Sequence, residues 1–192
     1  MRTICVVTAT RAEYGLLRPV VQKLAASSTL QLQLVATGAH LCPRLGETVR
    51  EIEADGVPIA ARLPIFVGDE NEPVAVTIAR TITVFDAYFS AHRPDAVLLL
   101  GDRFEIFAAA TAAAARHIPI AHISGGDVTL GAADEYYRHC ITKMAAVHFP
   151  SCADSAARLV RMGEAPETVF CVGGLGDENI RTLPKMSREE LC

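Results

Sequence analysis

The fold of this chain is decided by residues 95–138, which read DAVLLLGDRFEIFAAATAAAARHIPIAHISGGDVTLGAADEYYR. Residues 96–100 are a continuous apolar run, the pattern of a strand buried on both faces. Residues 104–116 are rich in alanine and contain no glycine or proline, which predicts a helix with a small, closely packing face. A second apolar strand is predicted at 118–123. This order of strand, helix and strand predicts a parallel βαβ unit.

The same alternation continues on both sides of this unit. Further strands are predicted at 3–8, 30–37, 58–65, 146–149 and 168–172. Further helices are predicted at 16–26, 46–54, 73–91, 133–145, 153–162 and 177–182. We therefore expect an α/β domain, a Rossmann-like parallel sheet with helices on both faces, over residues 1–182. A capping-box pattern at 187–190 predicts the start of one more helix.

The composition excludes several classes of function. The chain has 192 residues, 51% of them hydrophobic, and a net charge of −4, which suits one good core. No basic run is present to follow a nucleic-acid backbone, so no nucleic-acid partner is expected. The six cysteines are scattered without a CxxC pair, so no metal site is expected. The first strand begins almost at once, without a signal peptide, and no uninterrupted apolar run has membrane-spanning length. We expect a cytoplasmic protein without membrane contact.

Two loops with glycine and an acid follow the central strands, and they are the first candidates for chemistry. Asp102 follows one strand directly, and Asp127 closes the Ser124–Asp127 loop after the next. Ligands of open α/β sheets bind beyond the carboxyl ends of the strands. A poorly solvated acid there can transfer protons, although Asp102 is also well placed to cap the following helix. Asp127 could act as a base or close its turn, and Arg103 could bind a phosphate.

Other candidates lie at the same predicted edge. Arg11 follows the first strand and could bind an anion together with the next helix N-terminus, or could form an internal pair with Glu13 in a solvated loop. Asp134 lies one helical turn before Arg138, where an acid can also serve the helix dipole. Two histidines also lie at this edge: His40, after the second strand, could contact a substrate, and His122, in the last turn of its strand, could instead be a core residue.

The motifs at these positions resemble those of the hydrolysing UDP-N-acetylglucosamine 2-epimerases of the sialic-acid branch and their diacetylbacillosamine-using relatives. The resemblance covers the whole chain with its motifs in order: Thr8 with Arg11–Gly15, residues 37–41, residues 101–105, residues 122–127 without position 124, Asp134 with residues 138–143, and Gly173 with Gly176. It implies the N-terminal half of a two-domain fold of the glycosyltransferase-B type. Residues 183–192 would then begin the connection to a C-terminal UDP-binding domain.

The resemblance also implies a reaction and a set of roles. UDP is eliminated across C1–C2 of the sugar nucleotide, and water adds to the glycal to give UDP and N-acetylmannosamine or its diacetamido analogue, without metal or other cofactor. The implied catalytic acids are Asp102 and Asp134. The implied substrate contacts are Arg11, Gly15, His40, Arg103, His122, Ser124 and Arg138. A homodimer is implied as well, and this half alone is expected to be inactive.

One position departs from the family pattern. Well-studied members have a catalytic glutamate where this chain has Ser124. Serine cannot act as a carboxylate, so either Asp127 takes part of the work or the proton carrier or substrate differs. The alternatives are the diacetylbacillosamine 2-epimerase, the acceptor-side domain of a glycosyltransferase of the same architecture, and a module that binds sugar nucleotides without turnover.

Overall fold

The fold is a single parallel sheet with helices on both faces, as predicted. The computed structural model describes residues 1–67 and 72–182. Its six strands are arranged in the order β3-β2-β1-β4-β5-β6, and all neighbours are parallel. The strands are β1 (Arg2–Thr8), β2 (Leu30–Thr37), β3 (Ile59–Leu63), β4 (Ala96–Leu100), β5 (Ile120–Ile123) and β6 (Val147–Phe149).

Seven α-helices are described, and the predicted alternation of strands and helices is confirmed. They are α1 (Arg11–Ala25), α2 (Val49–Ala54), α3 (Val74–Ala91), α4 (Phe104–Ala115), α5 (Asp134–Met144), α6 (Ala153–Arg161) and α7 (Leu175–Thr182). Short 3-10 helices lie at Gly38–Leu41, Pro43–Leu45 and Pro166–Thr168.

Alternating side chains of the central strands supply two separate cores. On one face, Cys5 and Val7 of β1 pack with residues of α3, α4 and α5. On the other face, Val6 packs with residues of α1 and α2, and α7 lies against its border. This split follows from the two-residue period of a strand, which sends neighbouring side chains to opposite faces. Five of the seven alanines of α4 are buried, so the helix backbone approaches the sheet closely.

Helix α1 begins earlier than its sequence suggested. The helix starts at Arg11 rather than at Leu16, because Thr10 and Glu13 form a capping box around its first turn. Pro19 therefore lies inside the helix and not in its first turn. A proline there cannot donate a hydrogen bond to the carbonyl four residues earlier, that of Gly15. That carbonyl accepts one from the side chain of Asn179 on α7 instead, at 2.8 Å.

The predicted last strand at 168–172 is wrong except for one bridge. Val169 forms a single parallel bridge with His148, and Phe170 donates a backbone hydrogen bond to the same residue at 2.9 Å. Phe170 is 51% exposed and Val172 is 57% exposed, so no core covers both faces of this segment. The capping-box pattern at 187–190 and the proposed connection at 183–192 lie outside the described residues.

Helix α3 is long and apolar enough to cross a membrane by length and composition alone. It packs along α4 and buries Phe85 and Phe89 almost completely. Core helices pass the same test of length and hydropathy, so this helix is weak evidence for a membrane span.

Candidate active site at the carboxyl edge of the sheet

Arg138 is the centre of the site. It projects from α5, and its guanidinium joins the loops that follow β4 and β5. It donates to the Asp102 carboxylate, to the Ser124 carbonyl at 3.2 Å and to the Thr129 hydroxyl at 2.8 Å, and it lies 3.5 Å from the Asp127 carboxylate. We call Asp102, Ser124, Asp127, Thr129 and Arg138 the Arg138 cluster. Since the Arg138 side chain is only 9% exposed, these charge-assisted bonds are largely shielded from water.

Asp102 does not cap the Ala-rich helix, so that alternative is wrong. The N-cap of α4 is Arg103, whose backbone is extended and whose side chain makes no capping bond. Asp102 precedes the cap and turns to Arg138 of α5 instead. Helix α4 starts without a side-chain cap, and the carboxylate is held at the edge of the sheet.

Asp127 is fixed by more than its turn. One of its oxygens, Oδ1, accepts hydrogen bonds from the hydroxyls of Ser151 at 2.7 Å and Ser155 at 2.6 Å. Its other oxygen faces Arg138. Both serines lie at the start of α6, so that segment and α5 together hold this one carboxylate.

The glycine pair of the same loop packs against protein. A Cβ on Gly126, whose φ is +80°, would lie 2.4 Å from the Ser155 carbonyl oxygen. A Cβ on Gly125 would lie 2.9 Å from the His122 ring. These glycines therefore let the loop lie against α6 and β5. Ser124, just before them, has a φ of +62°, in the left-handed region that few residues other than glycine adopt.

Both candidate histidines are fully buried. His122 bonds the Gly101 carbonyl through Nε2 at 2.8 Å, as the core alternative predicted, and Thr142 through Nδ1 at 3.3 Å. His40 bonds Thr8 through Nε2 at 3.0 Å and Thr48 through Nδ1 at 2.8 Å. Burial lowers the pKa of each ring to about 4, so both stay neutral at pH 7. They hold the loops in place, and neither ring faces solvent in this arrangement.

Arg103 lies among carboxylates on the other side of the site. It donates to Glu105 at 3.0 Å, and its side chain is 44% exposed. Burial acts to lower the pKa of Arg103, but the hydrogen bond and charge of Glu105 raise it above its ordinary value. The charges of Glu13 and Asp134 act in the same direction. Asp134, in the first turn of α5, is therefore near enough to Arg103 for its charge to act on that guanidinium.

Arg11 and Gly15 border a neighbouring cleft along α1, of about 850 Å³. The Arg11 side chain is 72% exposed and lies 4.0 Å from Glu51, so the predicted internal pair with Glu13 does not form. A Cβ on Gly15 would meet nothing within 4 Å, so this part of the helix is open to a ligand.

Four of the predicted acids and cations border one cleft, whereas Asp134 and Arg11 do not border it. A cleft of about 330 Å³ is bordered by Glu13, Asp102, Arg103, Ser124, Asp127 and Arg138. Ala12 and Leu16 line both this cleft and its neighbour, so the two adjoin. Within 1–67 and 72–182 no group of three or more histidine, cysteine or acidic side chains could hold a metal ion.

Several residues of the site escaped the sequence analysis. Glu13 is buried, although it was interpreted as part of a solvated loop. The spacing Thr10-x-x-Glu13, a capping-box signature, could have revealed it. Thr129, Ser151 and Ser155 carry no comparable signal, because their partners are distant in sequence.

Comparison with known proteins identifies the family. A family model described as UDP-N-acetylglucosamine 2-epimerase matches residues 22–191. The chain belongs to this family. A UDP-N,N'-diacetylbacillosamine 2-epimerase (hydrolyzing) of Legionella pneumophila is 40% identical over 98% of the chain and 50% of its own length. A GDP/UDP-N,N'-diacetylbacillosamine 2-epimerase (hydrolyzing) of Campylobacter jejuni is 37% identical over 99% of the chain and 50% of its own length.

Solved structures agree on the fold. A crystal structure from Listeria monocytogenes, described as a UDP-N-acetylglucosamine 2-epimerase, superposes with a TM-score of 0.82 at 22% identity. The match covers 97% of this chain and 48% of the other. The chain thus spans about half the length of its relatives and has the fold of one Rossmann-like half of a glycosyltransferase-B arrangement.

Proposed function

We propose that the protein carrying this chain is a hydrolysing UDP-sugar 2-epimerase, which converts a UDP-2-acetamido sugar and water to UDP and the 2-epimeric sugar. The observation that carries the proposal is the Arg138 cluster. It presents two acids from different strands to one cleft, beside the cation Arg103. Elimination of UDP needs a base for the C2 proton and cations for the departing diphosphate.

The roles follow from charge and position. Asp102 is proposed as the base, because a carboxyl group accepts a proton only in its ionised form and the cation Arg138 pairs with that form. As the C2 proton leaves, the C1–O bond breaks and the diphosphate carries away the electron pair. Arg103 and Arg11, at the two adjoining clefts, are proposed to bind the diphosphate, with Gly15 leaving room for the nucleotide. Asp134 is proposed to pass a proton to C2 of the glycal, while the water that adds at C1 gives up a proton that replaces it, and Asp102 releases the proton taken from C2 to solvent.

Ser124 stands where well-studied members of the family have a catalytic glutamate, so another group must carry the proton. Its hydroxyl cannot accept a proton as a carboxylate does, and its carbonyl is already held by Arg138. Asp127 shares the same arginine and cleft, and we propose that it stabilises charge or carries a proton there. His40, His122 and the Ser124 backbone are proposed to position these groups.

The sugar is proposed from the relatives. The two reported above, at 37% and 40% identity, are both named for N,N'-diacetylbacillosamine, and this favours the diacetamido sugar over N-acetylglucosamine. A place in sialic-acid-type sugar biosynthesis, a homodimer and a cytoplasmic location remain predictions of the resemblance.

The test follows hydrogen exchange at C2. The full-length protein is incubated with each UDP-sugar in D₂O, and UDP release and deuterium at C2 are followed by NMR. We expect UDP together with a 2-epimeric sugar deuterated at C2 from the diacetamido substrate. If UDP is released but the sugar product is not inverted at C2, or carries no deuterium at C2, the proposal is contradicted. Such a result would indicate plain hydrolysis or transfer.

Variants separate the proposal from its alternatives. Asp102→Asn and Asp134→Asn should each lower turnover by at least about 100-fold, the usual contribution of a positioned acid or base. Asp154→Asn, an exposed acid of α6 outside the cleft, is the matched control and should leave turnover unchanged. An acceptor-side glycosyltransferase domain would lose acceptor binding in the first two variants but show no C2 exchange at all. The 192-residue chain alone is expected to be inactive, and turnover by it would contradict that expectation.

A further inference from the structure

Glu135 lies beside Asp134 in the first turn of α5, and the proposed reaction gives it no task. An acid at this place often serves only the helix dipole. Glu135 has two defined partners as well. Its Oε2 accepts a hydrogen bond from the backbone N–H of Thr129 at 2.7 Å, and its Oε1 lies 3.1 Å from Nε2 of His139. The carboxylate therefore ties the loop before α5 to the helix.

This bond matters because the loop around Thr129 packs poorly. Val128 is 46% exposed and Leu130 is 89% exposed, so hydrogen bonds rather than apolar contacts fix this part of the chain. The bond from Thr129 lowers the pKa of Glu135 below its ordinary value, although burial acts to raise it. Glu135 is thus ionised at pH 7, and an N–H group bonds a carboxylate more strongly than it bonds a neutral oxygen.

The hydroxyl of Thr129 reaches the centre of the site. It accepts a hydrogen bond at 2.8 Å from Nη2 of Arg138, and the same nitrogen donates to Asp102. Each terminal nitrogen of a guanidinium has two hydrogens, so Thr129 takes one and the proposed base takes the other. Nε of Arg138 is buried without a partner among the described residues. The two terminal nitrogens therefore set the orientation of the guanidinium, and Thr129 holds the one that faces the base.

We propose that Glu135 is a positioning residue, which holds Thr129 and through it keeps Nη2 of Arg138 directed at Asp102. If the loop moves away from α5, the guanidinium loses one of its acceptors and the base is displaced from C2 of the sugar. A displacement of this kind lowers the rate by up to about 100-fold. The effect on catalysis rests on the proposed function, in which Asp102 takes the C2 proton, whereas the contact between Glu135 and Thr129 does not.

The first experiment needs no substrate. The full-length protein is labelled with ¹⁵N-threonine, Thr129→Val identifies the Thr129 amide signal, and the exchange of that amide with solvent is measured by NMR. Glu135→Ala should raise its exchange rate by about tenfold or more, the loss of one hydrogen bond to a charged group. Asp154→Ala removes an exposed acid from the first turn of α6 and is the matched control, which should leave the rate unchanged. Equal protection of Thr129 in Glu135→Ala and the wild-type protein would overturn the proposal.

The second experiment measures turnover of the UDP-sugar. Glu135→Ala should lower kcat by about 10- to 100-fold. KM should change little, because Arg11 and Arg103, which are proposed to bind the diphosphate, are untouched. Glu135→Gln should restore most of kcat, because its amide oxygen still accepts from Thr129, and Asp154→Ala should behave as the wild-type protein. A glutamine variant as slow as the alanine variant would mean that Glu135 acts through its charge on the helix, and the proposal would fail.

A double-mutant cycle on kcat tests the path through Thr129. Thr129→Val removes the hydroxyl that Arg138 uses but keeps the N–H that Glu135 binds, so it should also lower kcat, and Thr129→Ser should lower it much less. With Thr129→Val present, Glu135→Ala should cost far less than it does alone, because both changes release the same nitrogen. Effects that simply multiply would overturn the proposal. Absence of turnover by the wild-type protein would contradict the proposed function, and the amide exchange of Thr129 would still test the contact.

Discussion

The Arg138–Asp102 pair allows a quantitative test of the site. In Arg138→Met, two carboxylates keep their charge but lose the cation, while Ser124 and Thr129 each lose a hydrogen-bond donor. Breaking a fully buried pair costs about 3–5 kcal/mol. The Asp102 side chain is 19% exposed, and water screens part of the charge that remains, so we expect the lower end, about 3 kcal/mol. That corresponds to a fall in Tm of about 6–12 °C for a chain of this size.

A double-mutant cycle separates the Arg138–Asp102 interaction from the other contacts of the Arg138 side chain. Asp102→Asn alone should cost about 1–2 kcal/mol, since the amide oxygen still accepts from Arg138. With Arg138→Met already present, Asp102→Asn should cost less, because it removes a carboxylate that has lost its cation. We expect a coupling of about 1–3 kcal/mol, measured by urea unfolding of the four proteins. Arg161→Met, an exposed arginine of α6, is the control and should cost under about 0.5 kcal/mol. A coupling below about 0.5 kcal/mol, or equal losses for the two arginine variants, would refute the reasoning.

The remaining predictions concern backbone fit, helix docking and pH. Gly126→Ala should cost more than about 3 kcal/mol, because its methyl group would lie 2.4 Å from a backbone carbonyl oxygen, and urea unfolding measures the loss. Asn179→Ala should cost about 1 kcal/mol and should raise amide hydrogen exchange in α7, since the Gly15 carbonyl loses its partner. His40 and His122 have pKa values lowered to about 4 in the folded chain, against about 6.5 when unfolded, so stability should be lost as the pH falls from 6.5 toward 4. Replacing either histidine with glutamine should reduce that loss, and an unchanged acid unfolding profile would contradict its assignment.

The order of elements was predictable because it depends on patterns within single segments. The apolar run at 96–100 is a buried strand, residues 30–37 form a strand that is buried in its second half, and the alanine run after Gly101 is a largely buried helix. The start of α1 is harder to predict, because Thr10, Arg11 and Glu13 are polar like the residues of a loop, although Thr10 and Glu13 also have capping-box spacing. The strand expected at 168–172 failed for a different reason, since no core covers both of its faces.

The sequence predicts which residues belong to the site better than it predicts how those residues contact one another. Asp102, Asp127 and Arg138 were all candidates, since each lies at the carboxyl edge of the sheet. Their pairing was not predictable, because Arg138 lies 36 residues from Asp102 and a local capping tendency competes for the same carboxylate. The burial of Glu105 likewise depends on packing between distant segments, which no spacing along the chain records, whereas the capping-box spacing does mark Glu13.

The proline inside α1 has a consequence for how the chain folds as it is made. The carbonyl left open by Pro19 receives its partner from Asn179, which is 164 residues further along from Gly15. At synthesis rates of about 5–20 residues per second, that partner emerges roughly 8–33 s after the helix that needs it. Water must satisfy the carbonyl in the meantime. When α7 docks, the side-chain amide of Asn179 replaces that water at the Gly15 carbonyl. This carbonyl is therefore a point where one of the last described helices attaches to one of the first.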